Sequence, residues 1–227
     1  MHMTQSELMR SSMFLEKDID IVLLDMDGTL LDLHYDSHFW LDYVPQQYAL
    51  LHDQSIQQAK SHVYAQYKKV SGTLSWYCYD YWVKTLGLDI HALQHKNKHK
   101  IQWREDTLWF LKKLRELNKK IVILTNAHPS GIALKDQQTQ LLSYVDLTIS
   151  SHQIGVEKEG ESFWQAVKDQ LDNDLSRAIF IDDSEKILTV AQSAGVGYLV
   201  GVNKPDSEKP AQLMQGFSTI CCFSELF

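Results

Sequence analysis

Five short apolar runs along the chain each have the length of a buried strand. They cover residues 19–24, 120–124, 145–149, 178–181 and 198–202. Apolar residues at helical spacing occupy most of the stretches between them, at 107–117, 132–142, 163–171 and 185–194. Unbroken apolar runs are typical of strands covered on both faces, and their alternation with helices favours a parallel sheet. The pattern predicts an α/β fold with a doubly wound parallel sheet.

One long stretch, residues 34–103, interrupts this alternation. It contains helical patterns punctuated by Pro45, Gly72 and Gly87, and no strand-like run. We therefore predict an all-helical insert after the first strand, joined to the sheet by short hinges near Leu33 and Arg104. The predicted domains are a core of residues 1–33 and 104–227 and a helical insert of residues 34–103.

Composition and charge narrow the possible functions. The chain has 227 residues, 44% hydrophobic and 22% charged, with a formal net charge of −7. These are globular values, and the negative charge argues against a nucleic acid polymer as partner. No run reaches the ~18 apolar residues of a membrane span. The first twenty residues lack the apolar region of a signal peptide, so we expect no membrane association and a cytoplasmic protein. Monomer and homodimer are equally open.

The first strand ends in two carboxylates. In extended chain, Asp25 and Asp27 point to the same side because residues i and i+2 share a face. Two like charges so close need a cation or a shared proton.

Further polar groups follow the other predicted strands. Thr125 and Asn126 offer a hydroxyl and backbone N–H groups at a helix start, which suit an anion. Lys158 follows the third strand and its loop, and Asp182 and Asp183 follow the fourth. Because the carboxyl ends of parallel strands meet at one edge, we expect these groups to converge. Hard oxygen ligands select Mg²⁺, and a metal, a lysine and backbone donors around a carboxylate suit phosphoryl transfer.

The motifs DMDGTLLD, LTNAHP and FIDDSE, together with Lys158, resemble the four motifs of haloacid dehalogenase-like phosphatases, in the same chain order. The helical insert resembles the helical cap of that superfamily. The stretches LSWYCYDYW and WREDT further resemble bacterial GMP/IMP nucleotidases, which are purine 5′-nucleotide phosphatases. This resemblance implies a Mg²⁺-dependent hydrolase of purine 5′-mononucleotides such as GMP and IMP.

The resemblance also implies roles for the two aspartates of the first motif. Asp25 is expected to be the nucleophile that becomes an aspartyl-phosphate, with its second oxygen on Mg²⁺. Asp27 is expected to protonate the leaving oxygen and then accept a proton from water, while its backbone carbonyl binds the metal. Relatives that break carbon–halogen bonds lack the second acid, so Asp27 argues against a dehalogenase.

The other motifs carry the remaining expected roles. Thr125 and the backbone N–H of Asn126 are expected to hold phosphoryl oxygens, and Lys158 to neutralise the charge shared by nucleophile and phosphate. Asp183 is expected to bind Mg²⁺ directly and Asp182 through water.

The surroundings of the lysine depart from the family pattern. Many relatives carry a proline beside it, whereas Glu157 and Glu159 flank Lys158 here. These acids put its position in question, and Lys135 and Lys168 are the fallback candidates for its role.

The aromatic string at residues 76–82 suggests stacking on a purine base. In one continuous helix, Trp76 and Tyr79 share one face and Tyr77 and Tyr81 another, so the string cannot all face one ligand. We therefore predict Trp76 and Tyr79 as substrate contacts and the others as packing. His128 is predicted either to meet the sugar or phosphate or to make a hydrogen bond at the helix start.

Three histidines, His91, His95 and His99, recur every fourth residue. That spacing is compatible with a transition-metal site on one helix face. The lysines among them favour a solvated basic face that attracts anions.

Other readings of the acidic edge stay open. The same chemistry serves a sugar-phosphate phosphatase or a phosphomutase, and a phospho-accepting signalling domain uses a similar acidic pocket. The signalling class is shorter and orders its motifs differently.

Overall fold

A six-stranded parallel sheet lies at the centre of the protein in the computed structural model, which describes residues 18–227. The strand order is β3-β2-β1-β4-β5-β6, so β1 lies between β2 and β4. The strands are β1 Ile21–Leu24, β2 Lys120–Thr125, β3 Leu147–Ser150, β4 Ala178–Asp182, β5 Tyr198–Val202 and β6 Ser218–Ile220.

Eleven α-helices occur in the described chain. The first six follow β1 with no strand between them: α1 His34–His38, α2 Val44–His52, α3 Ile56–Val70, α4 Leu74–Tyr77, α5 Tyr79–Leu86 and α6 Ile90–Asn97. The other five flank the sheet: α7 Thr107–Glu116, α8 Pro129–Thr139, α9 Ser151–Ile154, α10 Glu161–Leu171 and α11 Glu185–Ser193. A π-helical turn, Phe39–Tyr43, joins α1 to α2, and single 3₁₀ turns occupy Lys98–Lys100, Leu141–Tyr144 and Phe223–Leu226.

The doubly wound parallel sheet is confirmed, with shifted boundaries. All five predicted strands form, but β1 and β3 each begin two residues later than predicted, at Ile21 and Leu147. The edge strand β6 has only three residues, one of them fully buried. Such a segment carries too little apolar pattern to be predicted.

Both faces of the sheet are covered, which explains the unbroken apolar runs. Side chains alternate between two cores: Val22 and Leu24 pack on one side, and Ile21 and Leu23 on the other. Neighbouring strands repeat the alternation, because Leu24 is in register with both Ile123 and Ile181. The register places Asp25, Thr125 and Asp182 at the same carboxyl edge.

The helices α1 to α6 build a third hydrophobic core of their own around Phe39, Val63, Trp82 and Ile90. The segments by which the chain enters and leaves this region lie side by side, because the Asp32 N–H donates to the carbonyl of Gln102 at 2.9 Å. We call residues 34–103 the helical segment. Its treatment as a separate domain from residues 1–33 and 104–227 stays a prediction.

The aromatic string does not form one helix. Helix α4 ends at Tyr77, Cys78 is extended with φ −87° and ψ 111°, and α5 begins at Tyr79. The indole Nε1 of Trp82 donates to the carbonyl of Trp76 at 2.8 Å, so a side chain satisfies a backbone group that the break exposes. The prediction that these residues occupy two different faces of one helix is wrong, because it assumed a continuous helix.

Across residues 18–227, none of the helices combines the length and apolar character needed to span a bilayer. The prediction about a signal peptide concerns mainly residues 1–17, which lie outside the described residues.

Candidate active site

A cavity of about 360 Å³ opens between the carboxyl edge of the sheet and the helical segment. The predicted site residues meet there, although they come from five separate parts of the chain. The predicted site residues that line it are Asp25, Asp27, Trp76, Tyr79, Thr125, Asn126, His128, Lys158, Asp182 and Asp183.

Lys158 lies at the floor of the cavity and joins two aspartates. Its Nζ is 2.5 Å from Oδ1 of Asp25 and 2.8 Å from Oδ2 of Asp182, and it also donates to the carbonyl of Leu124 at 3.1 Å. Burial opposes its charge, but the carboxylates of Asp182 and Asp25 outweigh burial and raise the pKa of Lys158. Burial raises the pKa of Asp25 to about 7, with Lys158 acting in the opposite direction.

The fallback lysines are not needed at this position. Lys158 is fully buried despite its two glutamate neighbours. One of them organises the loop: Glu159 accepts hydrogen bonds from the side chain of Asn126 at 2.9 Å and from the hydroxyl of Tyr77 at 3.3 Å. Asn126 Oδ1 in turn accepts the backbone N–H of Lys158 at 2.9 Å. The acid beside the lysine therefore fixes the loop that carries it.

A second buried lysine holds the other aspartate of the first motif. Lys135, on α8, places its Nζ 2.7 Å from Oδ1 of Asp27 and 2.8 Å from Oδ2 of Asp36. Asp36 belongs to α1, so this cluster ties the helical segment to the sheet edge. Burial raises the pKa of Asp36 to about 6, and Lys135 opposes that rise. Sequence reasoning considered Lys135 only as a substitute for Lys158 and missed Asp36.

Thr125 ends β2 and Asn126 follows it, and both are buried. Thr125 Oγ1 accepts the N–H of Ala127 at 3.0 Å, which leaves the hydroxyl proton available to a ligand. The Asn126 side chain is committed to the lysine loop, so only its backbone remains for the predicted anion contact.

The acidic edge fits a hard divalent cation. Asp183 faces the loop after β1 so closely that a Cβ on Gly28 would lie 2.7 Å from its Oδ2, and Gly28 has φ +92°. Burial, followed by the charges of Asp182 and Asp25, raises the pKa of Asp183 well above its ordinary value. The ammonium of Lys158 pairs with Asp25 and Asp182, and Asp183 makes no ion pair among the described residues. A site of surplus negative charge with only oxygen donors suits Mg²⁺.

Asp182 is used differently from its neighbour. Its Oδ2 contacts Lys158 at 2.8 Å and its Oδ1 accepts the Ser184 N–H at 2.8 Å, at the start of α11. It therefore positions the lysine, and its predicted contact with the metal through water stays a prediction.

Aromatic side chains form the opposite wall of the cavity. Trp76, Tyr77, Tyr79 and Trp82 all line it, because the break at Cys78 turns Tyr77 towards the site. Burial, with the nearby Glu159 carboxylate, raises the pKa of the Tyr77 hydroxyl, so Tyr77 is the donor in their hydrogen bond. The predicted residues Trp76 and Tyr79 do lie at the cavity, but Tyr77 was missed.

His128 fulfils the helix-start alternative and also lines the cavity. Its Nδ1 accepts the Ser130 N–H at 3.2 Å, and its ring stacks on Tyr79 with centroids 4.7 Å apart. Burial, followed by the charge of His152, lowers the pKa of His128 to about 4, so it is neutral at pH 7. A direct contact between His128 and substrate stays a prediction.

The three regularly spaced histidines do not form a common site. Helix α6 ends at Asn97, before His99, and His95 is exposed. His91 turns instead to Asp80, with Nε2 3.2 Å from Oδ1.

Comparisons with known proteins agree with the fold and the motifs. The chain is 44% identical over 191 residues to the GMP/IMP nucleotidase YrfG of Escherichia coli (strain K12), which covers 84% of this chain and 86% of the relative. A HAD phosphatase from Thermococcus onnurineus superposes with a TM-score of 0.73 at 23% identity, covering 88% of this chain and 93% of that chain. A HAD family enzyme from Bacteroides thetaiotaomicron, solved in complex with magnesium and inorganic phosphate, superposes with a TM-score of 0.55 at 16% identity, covering 84% of this chain and 97% of that chain.

A family model for haloacid dehalogenase-like hydrolases matches residues 19–195. This range begins just before β1, ends just after α11, and contains all four motifs. The chain belongs to the haloacid dehalogenase-like hydrolase family.

Proposed function

We propose that the protein is a Mg²⁺-dependent phosphatase that hydrolyses purine 5′-mononucleotides, GMP and IMP in particular, through an aspartyl-phosphate on Asp25. The observation that carries the reaction class is the joint placement of Asp25, Lys158 and Asp27 in one cavity. The substrate class is supported by the 44% identity to a GMP/IMP nucleotidase over most of both chains.

The first half of the reaction transfers the phosphoryl group to Asp25. One carboxylate oxygen of Asp25 attacks phosphorus, and the bond from phosphorus to the 5′ oxygen of the nucleoside breaks. Asp27 donates a proton to that leaving oxygen. Since Lys135 holds Oδ1 of Asp27, the proton transfer falls to Oδ2.

The second half returns the enzyme to its starting state. Asp27 accepts a proton from water, the water oxygen bonds to phosphorus, and the bond between phosphorus and Asp25 breaks. Inorganic phosphate leaves, and Asp25 is again a carboxylate.

Fixed donors oppose the charge that accumulates on the phosphoryl oxygens. The Thr125 hydroxyl and the Asn126 backbone N–H would bind them, and Lys158 would balance the charge that Asp25 shares with the phosphate. Asp25, the backbone carbonyl of Asp27 and Asp183 would hold Mg²⁺, with Asp182 contributing through water. When bound, Mg²⁺ supplies the positive charge that lets an anionic nucleophile approach an anionic phosphate.

The helical segment would act as the cap that covers the substrate. Trp76, Tyr77 and Tyr79 offer ring faces and a hydroxyl to a nucleoside bound at the mouth of the cavity. Stacking a base on such a ring is worth about 1–3 kcal/mol, enough to favour nucleotides over small phosphate esters.

A panel of substrates tests this function. Phosphate release is measured from GMP, IMP, AMP, CMP and several sugar phosphates, with and without Mg²⁺. The proposal predicts the highest kcat/KM for GMP and IMP and a strict requirement for the metal. Preference for sugar phosphates would favour the alternative phosphatase, and isomerised substrate with little free phosphate a mutase. A stable phosphoprotein without turnover would favour a signalling domain.

The cytoplasmic location and the choice between monomer and homodimer stay predictions. Cell fractionation and size-exclusion chromatography with light scattering test them.

A further inference from the structure

A second group of metal-binding side chains includes His128, which also lines the cavity. Cys78, Asp80 and His128 each place one ligand atom so that all three atoms lie within 4.8 Å of one another. Cys78 and Asp80 belong to the helical segment, whereas His128 precedes α8 at the sheet edge. The cluster therefore combines residues of the helical segment with a residue at the sheet edge.

Two more histidines surround this cluster. His91 Nε2 is 3.2 Å from Asp80 Oδ1, and its ring centroid is 5.7 Å from that of His128. The ring of His152 lies 5.1 Å from His128, and its Nε2 is buried without a hydrogen-bond partner among the described residues. A buried nitrogen that lacks a partner is costly unless a ligand satisfies it. The cluster is thus surrounded by histidine nitrogens that internal hydrogen bonds do not fully use.

The donor types select a transition metal and not Mg²⁺. A thiolate and an imidazole are soft or borderline ligands, which favour Zn²⁺ or Co²⁺ over hard cations. Tetrahedral zinc with bonds of about 2.0–2.3 Å places its ligands about 3.3–3.8 Å apart, so small side-chain rotations suffice. The Cys78 thiolate and the Asp80 carboxylate together balance the two positive charges of the ion. The contact from His91 to Asp80 gives the carboxylate the outer-sphere partner that such ligands usually have.

We propose that Cys78, Asp80 and His128 form a binding site for a Zn²⁺-class transition-metal ion that fastens the helical segment to the sheet edge beside the cavity. Binding releases the thiol proton of Cys78. Because ligands come from both sides of the cavity mouth, the bound ion restrains opening. Zn²⁺ is thereby an inhibitor of turnover at a site separate from the catalytic carboxylates.

Co²⁺ titration of the full-length protein in saturating Mg²⁺ tests the site without any need for turnover. The parent should bind one Co²⁺ per chain with the near-ultraviolet charge-transfer band of a cobalt thiolate. Cys78→Ser should lose this band, and Asp80→Asn should weaken Co²⁺ binding by about tenfold or more. Cys222→Ser, at a half-buried cysteine near the C-terminus, is the matched control and should keep the band. The proposal is overturned if the parent shows no such band or if Cys78→Ser retains it.

Inhibition provides a second readout. Zn²⁺ added to the Mg²⁺-loaded protein should slow hydrolysis of a generic phosphate ester by the parent and by Cys222→Ser. In Cys78→Ser the same Zn²⁺ concentration should have at least tenfold less effect, because this variant lacks the proposed thiolate ligand. Inhibition through replacement of Mg²⁺ among the catalytic aspartates would not depend on Cys78. Equal inhibition of all three proteins would rule out the regulatory role.

Discussion

Removal of the Lys135 ammonium is the sharpest perturbation of the buried charge network. Lys135→Met keeps the length and apolar stem of the side chain but deletes the charge that lies 2.7 Å from Asp27 and 2.8 Å from Asp36. The lysine side chain is 2% exposed and that of Asp36 16%, so water cannot readily replace the lost contacts. Loss of one partner from a buried ion pair typically costs about 3–5 kcal/mol of folding stability.

Protonation of Asp36 limits that cost. The unfolded chain has a carboxyl pKa near 3.8, so keeping Asp36 neutral costs about 4 kcal/mol at pH 7 but only about 2 kcal/mol near pH 5.5. The parent itself gains about 1 kcal/mol over this range, because its Asp36 has a pKa of about 6, so the free energy lost in Lys135→Met should fall by about 1 kcal/mol between these pH values. The double variant with Asp36→Asn should recover much of the loss at pH 7, because the buried charge is then gone.

Urea unfolding at both pH values measures these differences. Lys112→Met is the matched control, because Lys112 is exposed in the middle of α7 and its loss should change stability by less than about 0.5 kcal/mol. If Lys135→Met unfolds like the control, or loses the same free energy at both pH values, the description of Lys135 as an essential counter-ion is wrong.

Three further predictions concern substrate, pH and metal. Trp76→Ala should lower kcat/KM for GMP about tenfold more than for a generic phosphate ester, whereas Trp109→Ala, outside the cavity, should affect neither; equal losses on both substrates would instead indicate damaged folding. Burial raises the pKa of Asp25 to about 7 and that of Asp36 to about 6, so between about pH 4 and pH 7 these two carboxyl groups bind more protons in the folded state than in the unfolded state, and their effect outweighs the opposite effect of the lowered pKa of His128. The metal-free protein should consequently melt at a higher temperature near pH 5.5 than near pH 8, and the opposite order would contradict these shifts. EDTA should abolish phosphate release and excess Mg²⁺ restore it, so full activity in EDTA would refute the metal requirement.

The sequence predicts well those site residues that directly follow a strand, because the parallel sheet itself brings them together. Asp25, Thr125 and Asp182 each follow a buried apolar run, and parallel pairing then places them at one edge. The position of Lys158 is harder to predict from the sequence, because the acidic residues beside it do not indicate that Asn126 and Glu159 hold its loop.

The remaining features depend on contacts between distant parts of the chain. Lys135 and Asp36 are 99 residues apart, and only the docking of α1 against α8 makes them partners. At the break the indole of Trp82 donates to the carbonyl of Trp76, a side-chain contact that helical periodicity does not encode. That break exposes Tyr77 to the cavity and places Cys78 near His128. Such effects need three-dimensional packing before they become visible.

The central claim is that Asp25 accepts the phosphoryl group. A single turnover of GMP with Mg²⁺ is stopped with acid, treated with borohydride and analysed by peptide mass spectrometry, since reduction of an aspartyl-phosphate leaves homoserine at the modified position. The account predicts homoserine at position 25 in the parent and none in Asp25→Asn, which should also lose turnover by several orders of magnitude. Phosphate release without any homoserine at position 25, or homoserine at another aspartate, would contradict it.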